Sequence, residues 1–425
     1  MNKKNIIIIG GGIAGMEVAT SLSKQFQHTQ TNIILIDKSP LHVWKPMLHM
    51  FAAGTAEPTE QGVSFVAHAS IHGFQYHPGK VYKIDQLNKT VHLETLFNGE
   101  YIEILPDRTL HYDYLIVSTG SCSNDFGTKG VKEFAYTIDD LKRASHFFES
   151  FQSLILRAID KQEVCNVCIV GAGATGVELA GELHNFIELA SSYGDHDINQ
   201  FLHITLIESN ARILKSFTEK ISKEAKYALE KLNIRVIENE RVMEVQKDNV
   251  LLGNGEIIQA TLTVWSAGVK APEFIQTIEE IDLSASGQIV VNPYFQSLKD
   301  SSIFALGDCS SIQAAPLAPT AQVARQQALY LSRHFKKIIQ QEPNIPSFQY
   351  KDNGALVSVG RYASFGVFGG KGILKGNTFK GYIAMFAHIM LYRMHQTAIL
   401  GFWRAHAAWL AEKLTRFVKP KIRTY

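Results

Sequence analysis

Two segments of the chain carry the same glycine pattern, and that pattern is suited to binding the pyrophosphate of a dinucleotide. The glycines are Gly10, Gly12 and Gly15 in the first segment and Gly171, Gly173 and Gly176 in the second, a constant offset of 161 residues. Each Gly-x-Gly-x-x-Gly follows an apolar run and precedes a helical pattern, which is the context that the dinucleotide-binding fingerprint requires. The first glycine permits a tight turn, the second lets backbone amides approach phosphate, and the third lets the helix pack on the strand. The sequence therefore predicts two dinucleotide sites, each at a helix N-terminus that attracts anions.

An acidic residue ends the next apolar run in each copy. Asp37 follows Ile33–Ile36, 22 residues after the third glycine, and Glu208 follows His203–Ile207 in the second copy. A carboxylate at this place can accept hydrogen bonds from ribose hydroxyl groups and repels a 2′-phosphate. Glu208 therefore favours NADH over NADPH at the second site, although Arg212 lies close enough in sequence to weaken that preference.

Parallel sheets with helices between their strands must position these residues, so the predicted fold class is α/β. Two short strand-like runs that end in small residues, Tyr112–Gly120 and Leu262–Gly268, occupy matching places and are each predicted to close one nucleotide-binding unit. A further strand ends at Gly307–Asp308, and Pro319–Thr320 predicts the start of a helix. The pattern predicts two Rossmann-like domains, the second inserted in the first, followed by a distinct C-terminal region.

The net charge of +2 hides an uneven distribution along the chain. The segment from Lys380 to Tyr425 contains eight Lys or Arg and one acid, Glu412, so it carries +7 and the rest of the chain carries −5. Such a basic segment favours an anionic surface as a partner. A nucleic acid is not expected among the partners.

The cysteines give no indication of disulfides or of a metal. There are four, Cys122, Cys165, Cys168 and Cys309, too few and too scattered for a disulfide framework. Cys165 and Cys168 have the spacing of a redox or zinc pair, but they fall in the strand that leads to Gly171, and no second pair completes a metal site. We expect this pair to be structural. The N-terminus enters a strand without room for a signal peptide, so the chain is expected to stay in a reducing compartment.

The C-terminal region combines apolar residues with cations. From Gly381 to Tyr392, twelve residues lack Asp, Glu, Lys and Arg, well short of the ~20 apolar residues that span a bilayer. Apolar and aromatic side chains then recur at helical spacing, at Phe402, Trp403, His406, Trp409, Leu410, Leu414, Phe417 and Val418. Cations accompany them at Arg404, Lys413, Arg416 and Lys419 and in the basic ending Lys419–Arg423. We predict an amphipathic helix that lies in the membrane interface. Packing of this helix on the body of the protein, or on a second subunit in a homodimer, is the alternative.

Four stretches resemble the type II NADH:quinone oxidoreductases, members of the flavoprotein reductases that have two dinucleotide-binding domains. They are His42–His49, Gly176–His184, Ala321–Gln327 and Leu391–Gln396. The resemblance extends over essentially the whole chain. It implies that the first site binds FAD, that the second binds NADH, and that the electron acceptor is a membrane quinone, either ubiquinone or menaquinone.

The resemblance also implies roles for individual residues. FAD binding is implied for Gly10, Gly12, Gly15, Asp37, Lys45, Gly307, Asp308, Ala321 and Gln322, and NADH binding for Gly171, Gly173, Gly176, Glu208 and Gly268. Glu178, Gln322 and Gln326 are implied as catalytic residues, the first by orienting the carboxamide or relaying protons and the glutamines by contacting flavin or quinone. The helix after Thr320 would direct its N-terminal amides at the flavin and stabilise the negative charge that develops there on hydride transfer.

The implied protein is a peripheral enzyme on the cytoplasmic side of the cell membrane, in bacteria the inner membrane. It transfers a hydride from NADH to FAD and two electrons to quinone without pumping protons. The implied domains are residues 1–125 and 296–345 for FAD, 126–295 for NADH, and 346–425 for membrane association.

Three other functions are compatible with parts of the pattern. A sulfide:quinone oxidoreductase shares the fold and the quinone, but it needs redox cysteines at the flavin, and this chain has no cysteine beyond Cys309. A soluble NADH-dependent reductase of an electron-carrier protein leaves the C-terminal 46 residues without a role. A nucleotide-sensing or assembly protein would keep the fold without turnover, which the intact glycines and acids disfavour.

Overall fold

The computed structural model describes residues 3–190, 200–370 and 375–418. The chain forms two compact units, each assembled from separate segments. Unit 1 contains Met1–Trp44, Gly62–Cys122 and Val269–Tyr350, and unit 2 contains Lys45–Gln61, Ser123–Gly268 and Lys351–Tyr425. The domain limits inferred from the motifs stay a prediction. The basic ending at 419–423 lies outside the described residues.

A five-stranded parallel sheet forms the centre of unit 1. Its strands are β1 (Lys4–Ile9), β2 (Thr31–Asp37), β5 (Gln75–Pro78), β11 (Tyr114–Val117) and β23 (Ile303–Ala305), in the order β23-β11-β1-β2-β5. The last four residues of β1, all isoleucine, are buried because helices cover both faces of such a sheet. Helix α1 (Ile13–Phe26) connects β1 to β2 and packs against α9 (Ala321–Ile339).

Shorter elements connect the sheet of unit 1. They are β3 (Leu41–His42), β4 (Val63–Ser64), α4 (Phe65–His72), β6 (Val81–Asp85), β7 (Thr90–Leu93), β8 (Leu96–Phe97), β9 (Glu103–Leu105), β10 (Arg108–His111), β21 (Val269–Lys270), β22 (Ile289–Val291) and β24 (Ser310–Ile312). Two 3-10 helices lie at Glu273–Thr277 and Gly307–Cys309. The chain passes into unit 2 within β12 (Cys122–Ser123).

Unit 2 repeats the sheet topology of unit 1. Its strands are β13 (Ala135–Tyr136), β14 (Cys165–Val170), β15 (Leu202–Ile207), β16 (Arg235–Ile237) and β20 (Leu262–Trp265), in the parallel order β13-β20-β14-β15-β16. In both units the fingerprint strand is central, with the acid-ending strand on one side and the strand predicted to close the unit on the other. Cys165 and Cys168 are buried in β14, which confirms their predicted place in that strand.

Helices and small antiparallel sheets complete unit 2. They are α2 (Leu48–Ala52), α3 (Pro58–Gln61), α5 (Val131–Phe134), α6 (Leu141–Lys161), α7 (Ala174–Ala190), α8 (Glu219–Lys231), β17 (Val242–Val245), β18 (Asn249–Leu252), β19 (Ile257–Gln259), β25 (Gly354–Val359), β26 (Ala363–Phe368), β27 (Thr378–Lys380), α10 (Tyr382–Leu400) and α11 (Phe402–Val418). A 3-10 helix at Lys45–Met47 precedes α2. Helix α7 packs against α2 and β25, and α10 packs against β25, β26 and α11. Within the described ranges, no helix is both long enough and apolar enough to cross a bilayer.

The contact between α7 and β25 yields a stability prediction. A methyl group at Gly181 would lie 2.6 Å from the carbonyl carbon of Val359 and would overlap the amide nitrogen of Gly360. Helix propensity alone favours Gly181→Ala by about 1 kcal/mol, but overpacking against a backbone costs about 1–3 kcal/mol. We therefore expect Gly181→Ala to lower the melting temperature measured by circular dichroism. Gly99→Ala is the control, because nothing lies within 4 Å of the added methyl group. If both variants had the same melting temperature as the unmodified protein, this packing would be contradicted.

Candidate functional site

The first glycine of each fingerprint adopts a conformation that excludes side chains. The φ angle is +95° at Gly10 and +100° at Gly171, in the region that favours glycine. A Cβ atom on Gly10 would lie 2.6 Å from the Ser118 carbonyl oxygen, and one on Gly171 would lie 2.7 Å from Cα of Ala267. Both turns therefore fit tightly against the neighbouring strand of their own sheet.

The third glycine brings the helix onto the turn in each copy. A Cβ atom on Gly15 would overlap the carbonyl oxygen of Gly10, and one on Gly176 would overlap that of Gly171. A larger residue would displace the first turn of α1 or α7. Both helix N-termini are thereby held at the end of the fingerprint strand.

A serine braces each turn, and sequence reasoning missed both serines. The Ser118 hydroxyl donates to the carbonyl oxygens of the last strand residue and the first glycine at 3.0 and 2.8 Å. Ser266 makes the corresponding contacts in unit 2 at 3.0 and 2.9 Å. The Ser-x-Gly that follows both β11 and β20 is the signal that could have identified them.

The second glycine leaves space where a dinucleotide would approach. No atom lies within 4 Å of a Cβ built on Gly12 or Gly173. Gly12 is the N-cap of α1 and, as a glycine, provides no side-chain hydrogen bond there. Helix N-termini carry several amides without an intrahelical partner and a positive dipole end. The residues in both units therefore fit a pyrophosphate, as FAD and NADH require.

The two predicted ribose-binding acids are held in equivalent ways. Asp37 Oδ2 accepts from the Gly11 amide at 2.6 Å, and Glu208 Oε2 accepts from the Ala172 amide at 2.9 Å. Glu208 Oε1 also accepts from the backbone amide and side-chain amide of Asn210 at 2.8 and 2.6 Å. Both carboxylates thus lie at the carboxyl end of the second strand, where this fold places the ribose.

Arg212 is engaged within its own loop. Its guanidinium donates to the carbonyl oxygens of Phe217 and Lys215 at 2.9 and 3.1 Å. These N–H donors are therefore used by backbone carbonyl oxygens, which compete with any 2′-phosphate for them. The arrangement supports Glu208 as the residue that decides between NADH and NADPH.

Asp308 is oriented by side chains that the sequence did not reveal. Ser121 Oγ donates to Asp308 Oδ2 at 2.7 Å, and Gln288 Nε2 donates to the Asp308 carbonyl oxygen at 2.9 Å. The amide of the preceding Gly307 donates to Oε1 of the buried Gln327 at 2.6 Å. Gly307, Asp308, Gln288 and Gln327 line one cleft at the start of α9. Of the three side chains that hold Gly307 and Asp308, only that of Gln327, inside the Ala321–Gln327 motif, had a sequence signal.

The start of α9 agrees with its prediction. Thr320 is the N-cap, and its Oγ1 accepts from the Val323 amide at 3.2 Å. Ala321 is the first helical residue. Gln322 and Gln326 are half-buried and four residues apart, so they share one face of the helix. Their flavin and quinone roles stay predictions.

Two further predicted ligands lie in unit 2. Gly268 follows β20 with a φ of +62°, and a Cβ atom there would overlap the ring of Phe126. Lys45 is exposed and begins the 3-10 helix before α2. Its contact with FAD stays a prediction.

The histidines at the two ends of the His42–His49 motif are both buried. His42 Nδ1 lies 2.6 Å from the Gly11 carbonyl oxygen, and because a carbonyl only accepts, this nitrogen carries the proton. Burial lowers the pKa of His42 to about 4, so its ring is neutral and braces the first fingerprint turn.

Glu178 and His49 form the most perturbed pair of the candidate site. Glu178 is 7% exposed, and its Oε1 accepts from the Ser358 amide at 3.2 Å while Oε2 lies 3.5 Å from Nδ1 of His49. Burial raises the pKa of Glu178 to about 8, and burial with the nearby charge of His388 lowers the pKa of His49 to about 3. At neutral pH the proton therefore stays on Glu178, and both side chains of the pair are neutral. Such a carboxyl group can give up a proton near neutral pH.

Cysteines and groups of potential metal ligands are the remaining places where redox or metal chemistry could occur. None of the four cysteines, all of which lie in the described ranges, forms a disulfide, and three of them are buried. Within the described part of the chain, no three His, Cys, Asp or Glu side chains are grouped so that they could hold a metal.

One family of known proteins matches a stretch of the chain that contains both glycine turns. Residues 4–328 match the family described as pyridine nucleotide-disulphide oxidoreductase. The match begins at β1 and ends within α9, so it contains both fingerprint turns and the Asp308 region.

Sequence relatives narrow this assignment. A type II NADH:quinone oxidoreductase of Haemophilus influenzae is 34% identical, over 99% of this chain and 100% of its own length. The chain belongs to the type II NADH:quinone oxidoreductases. A member of that family from Staphylococcus saprophyticus is 28% identical over 88% of this chain and 91% of its own. As a member of the family, the protein is an NADH dehydrogenase that uses FAD and a quinone.

Solved structures agree on the fold. NDH2 from Plasmodium falciparum, in complex with NADH, has a TM-score of 0.81 at 21% identity, covering 98% of both chains. The sulfide:quinone oxidoreductase of Aquifex aeolicus has a TM-score of 0.74 at 19% identity, covering 99% of this chain and 96% of that chain. At such identities the likeness shows the fold alone, so the full-length sequence relative decides the family.

The geometry around Glu208 predicts the cofactor preference of this family member. We expect Glu208→Gln to reduce the NADH-over-NADPH ratio of kcat/KM by about tenfold, equivalent to about 1.4 kcal/mol, because the repulsion of a 2′-phosphate is lost. Steady-state kinetics with both nucleotides measure this ratio. Glu219→Gln is the matched control, since Glu219 is an exposed acid on α8 of the same unit. An unchanged ratio in Glu208→Gln would remove Glu208 from nucleotide selection.

Proposed function

We propose that this type II NADH:quinone oxidoreductase works as a peripheral membrane enzyme without proton pumping, with FAD in unit 1, NADH in unit 2 and Glu178 as the acid–base group of quinone reduction. The observation that carries the proposal is the pair of equivalent glycine turns, each with a helix N-terminus and an acid at the ribose position. FAD, when bound, supplies the hydride acceptor and passes electrons to the quinone. The protein must bind and orient FAD, NADH and the quinone, and it must protonate the reduced quinone.

In unit 1, hydrogen bonds hold the polar groups that would bind FAD. The α1 N-terminus would face the pyrophosphate, Asp37 would accept from ribose hydroxyls, and Asp308, which Ser121 and Gln288 hold in place, would hydrogen-bond the cofactor. Each polar group is fixed by other hydrogen bonds in the same unit, so little reorganisation accompanies binding. Pre-organisation of this kind lowers the cost of ordering the site.

Unit 2 would bind NADH, and Glu178 lies near the glycine turn that would hold the NADH pyrophosphate. Glu178 lies two residues after the third glycine, in the first turns of α7, whose N-terminus faces the pyrophosphate. The protonated carboxyl can donate a proton to a quinone oxygen or hydrogen-bond the carboxamide of NADH. An ordinary surface glutamate could not do this at neutral pH, because its pKa would be about 4.3.

The C-terminal helices support membrane contact. Large apolar side chains are exposed along both helices, at Tyr382, Ile383, Met385, Phe386, Ile389, Leu391 and Met394 of α10 and Phe402, Trp403, Leu410, Leu414 and Val418 of α11. An exposed surface of this kind beside cations is typical of interfacial helices. We place this surface on the cytoplasmic leaflet, where anionic lipids attract Lys and Arg. A homodimer through the same surface is the competing arrangement.

Anaerobic stopped-flow spectroscopy tests the two half-reactions. NADH should bleach the visible flavin absorbance, and a short-chain quinone should restore it. Restoration should be independent of pH below about 8 and slow above it, because Glu178 loses its proton as pH rises through its pKa of about 8. Bleaching without restoration would assign another acceptor. Bleaching by sulfide and not by NADH would assign the sulfide enzyme.

Vesicle co-sedimentation tests the membrane surface. The protein should sediment with anionic vesicles, bind neutral ones less, and be released by salt, since each cation contributes about 1 kcal/mol at an anionic leaflet. Trp403→Ser should weaken binding, whereas Tyr101→Ser, which removes an equally exposed aromatic ring in unit 1, should not. A protein that stays in solution as a stable dimer would assign the surface to self-association.

A further inference from the structure

Strand β25 lies at the edge of the three-stranded sheet β25-β26-β27 in unit 2. An edge strand has a row of N–H groups that its own sheet does not accept. The amide of Ser358 is directed out of the sheet and donates to Oε1 of Glu178 on α7 at 3.2 Å. The Ser358 side chain is hydrogen-bonded to the same carboxyl group. Sequence analysis gave no reason to single out Ser358.

One face of α7 lies along β25 and the turn that follows it. The residues Glu178, Gly181 and Glu188 of this face are three and seven residues apart, which is the spacing of a single helix face. A Cβ atom on Gly181 would overlap the amide nitrogen of Gly360, and one on Gly360 would lie 2.8 Å from the Gly181 carbonyl oxygen. The two glycines therefore let helix and strand touch through their backbones, which brings the Ser358 amide within reach of Glu178.

A polar clamp closes the other end of this contact. Oε2 of Glu188 accepts from Nη2 of Arg361 and from the hydroxyl of Tyr362, each at 2.6 Å. Arg361 and Tyr362 form the turn between β25 and β26, and the Tyr362 ring also packs against His184 of α7 at 5.5 Å. The Arg361 side chain is more than half exposed, so its ion pair contributes little stability. The clamp matters for geometry, because it holds the turn, and with it β25, at one position along α7.

The Ser358 amide decides which oxygen of Glu178 carries the proton. A neutral carboxyl group has one hydroxyl oxygen, which donates, and one carbonyl oxygen, which is the better acceptor. Because Oε1 accepts from the amide, the proton lies on Oε2, the oxygen on the side of His49. The acid is therefore held as a proton donor with a defined direction.

The groups around Glu178 act on its charge in opposite directions. Burial raises its pKa to about 8, the hydrogen bonds from Ser358 oppose this rise, and the charge of Glu182, one turn further along α7, adds to it. His49 of α2 is neutral at pH 7 because burial lowers its pKa to about 3. The strands beneath α7, β14 and β15, carry no Asp, Glu, Lys or Arg over their described lengths, and their titratable groups are two cysteines and one histidine. Among these groups, Ser358 is the one that stabilises the charged form.

We propose that Ser358 is a positioning residue of quinone reduction: the amide at the edge of β25 holds Oε1 of Glu178 and so leaves the proton on Oε2 for transfer to the reduced quinone. The clamp of Glu188, Arg361 and Tyr362 keeps β25 in the register that this hydrogen bond needs. This inference rests on the proposed role of Glu178. In each turnover the Oε2–H bond breaks and a quinol O–H bond forms. The same amide then holds the carboxylate until water returns a proton to it.

The first test removes the amide hydrogen. Reoxidation of the NADH-reduced enzyme by a short-chain quinone is followed by stopped flow across pH in Ser358→Pro, which lacks this hydrogen, and in Ser358→Ala, which keeps it. In Ser358→Pro we expect the rate below about pH 8 to fall about tenfold, because a positioned acid contributes at least this much. The slowing at high pH should begin about one pH unit later, because the charged form loses a hydrogen bond and the pKa rises. Ser358→Ala loses only the hydroxyl, so its pH profile should move less.

Two measurements separate positioning from a structural effect. Ferricyanide accepts single electrons and no proton, so turnover with it should not change in Ser358→Pro. The carboxyl C=O stretch of Glu178, identified by its absence in Glu178→Gln, disappears from infrared difference spectra as the pH rises. The midpoint of that disappearance reports the proton affinity without turnover, and in Ser358→Pro it should move upwards as far as the kinetic profile does.

Leu356→Pro is the control for proline in this strand. Leu356 precedes Ser358 by two residues in β25, so its amide lies at the same edge of the sheet. Its pH profile should match that of the unmodified enzyme.

The second test loosens the clamp and leaves strand β25 unchanged. Arg361→Ala is compared with Arg157→Ala, which removes a similarly exposed arginine from the ion pair with Glu163 on unit 2. Arg361→Ala should move the pH profile upwards, by less than Ser358→Pro, and Arg157→Ala should not move it. The sign is diagnostic. Burial raises the pKa of Glu182 and the charge of Arg361 opposes this, so the loss of that charge would reduce the negative charge on Glu182 and move the profile of Glu178 downwards.

Two outcomes would overturn the positioning role. One is a pH profile in Ser358→Pro that coincides with that of the unmodified enzyme. The other is a profile in Arg361→Ala that stays in place or moves downwards, and this variant decides the matter if Ser358→Pro loses quinone and ferricyanide turnover equally through damage to the fold. Failure of the proposed function itself would be seen separately, as an unmodified enzyme whose reoxidation by quinone does not slow at high pH or is unaffected by Glu178→Gln.

Discussion

The structure depends on a close contact between two backbone segments, and this contact occurs once in each unit. In each unit the third fingerprint glycine lies so near the carbonyl of the first that no side chain fits, and a serine from the neighbouring strand, Ser118 or Ser266, donates to that same carbonyl. This contact holds the helix N-terminus at the end of the central strand. The amides, the acid at the next strand and the following helix residues are all positioned from there. Without this contact between the two glycines, neither of the turns proposed to bind pyrophosphate would have a fixed geometry.

Burial gives the second unit its acid–base chemistry. Desolvation of the charged form of Glu178, with the nearby charge of Glu182, outweighs the hydrogen bonds from the Ser358 amide and side chain and raises the pKa of the carboxyl group. The equivalent residue of unit 1, Glu17, also has a raised pKa through burial, but Arg325 and Lys24 oppose the shift. The same position in two copies of one motif therefore has two electrostatic environments. The difference comes from neighbouring elements and not from the motif.

The fold does not by itself distinguish NADH oxidation from sulfide oxidation. NDH2 and a sulfide:quinone oxidoreductase both superpose on nearly the whole chain. The distinction comes from the full-length sequence relative, a type II NADH:quinone oxidoreductase, and three of the four cysteines of this chain are buried in the core. Function in this fold is set by the site and not by the arrangement of sheets.

The sequence by itself determined the fold class, both glycine turns, the acids Asp37 and Glu208, and the N-cap Thr320, because each depends on local spacing and local backbone conformation. It also identified the family, through motifs that are contiguous in the chain. Only the tertiary structure decided which distant residues act on these groups. Ser118 donates to the carbonyl of Gly10, 108 residues before it in the chain, and Ser121 donates to Asp308, 187 residues after it. No periodicity records such meetings, since they follow from how helices and strands pack. Burial, which sets the protonation of Glu178, is likewise a property of that packing and has no sequence signature.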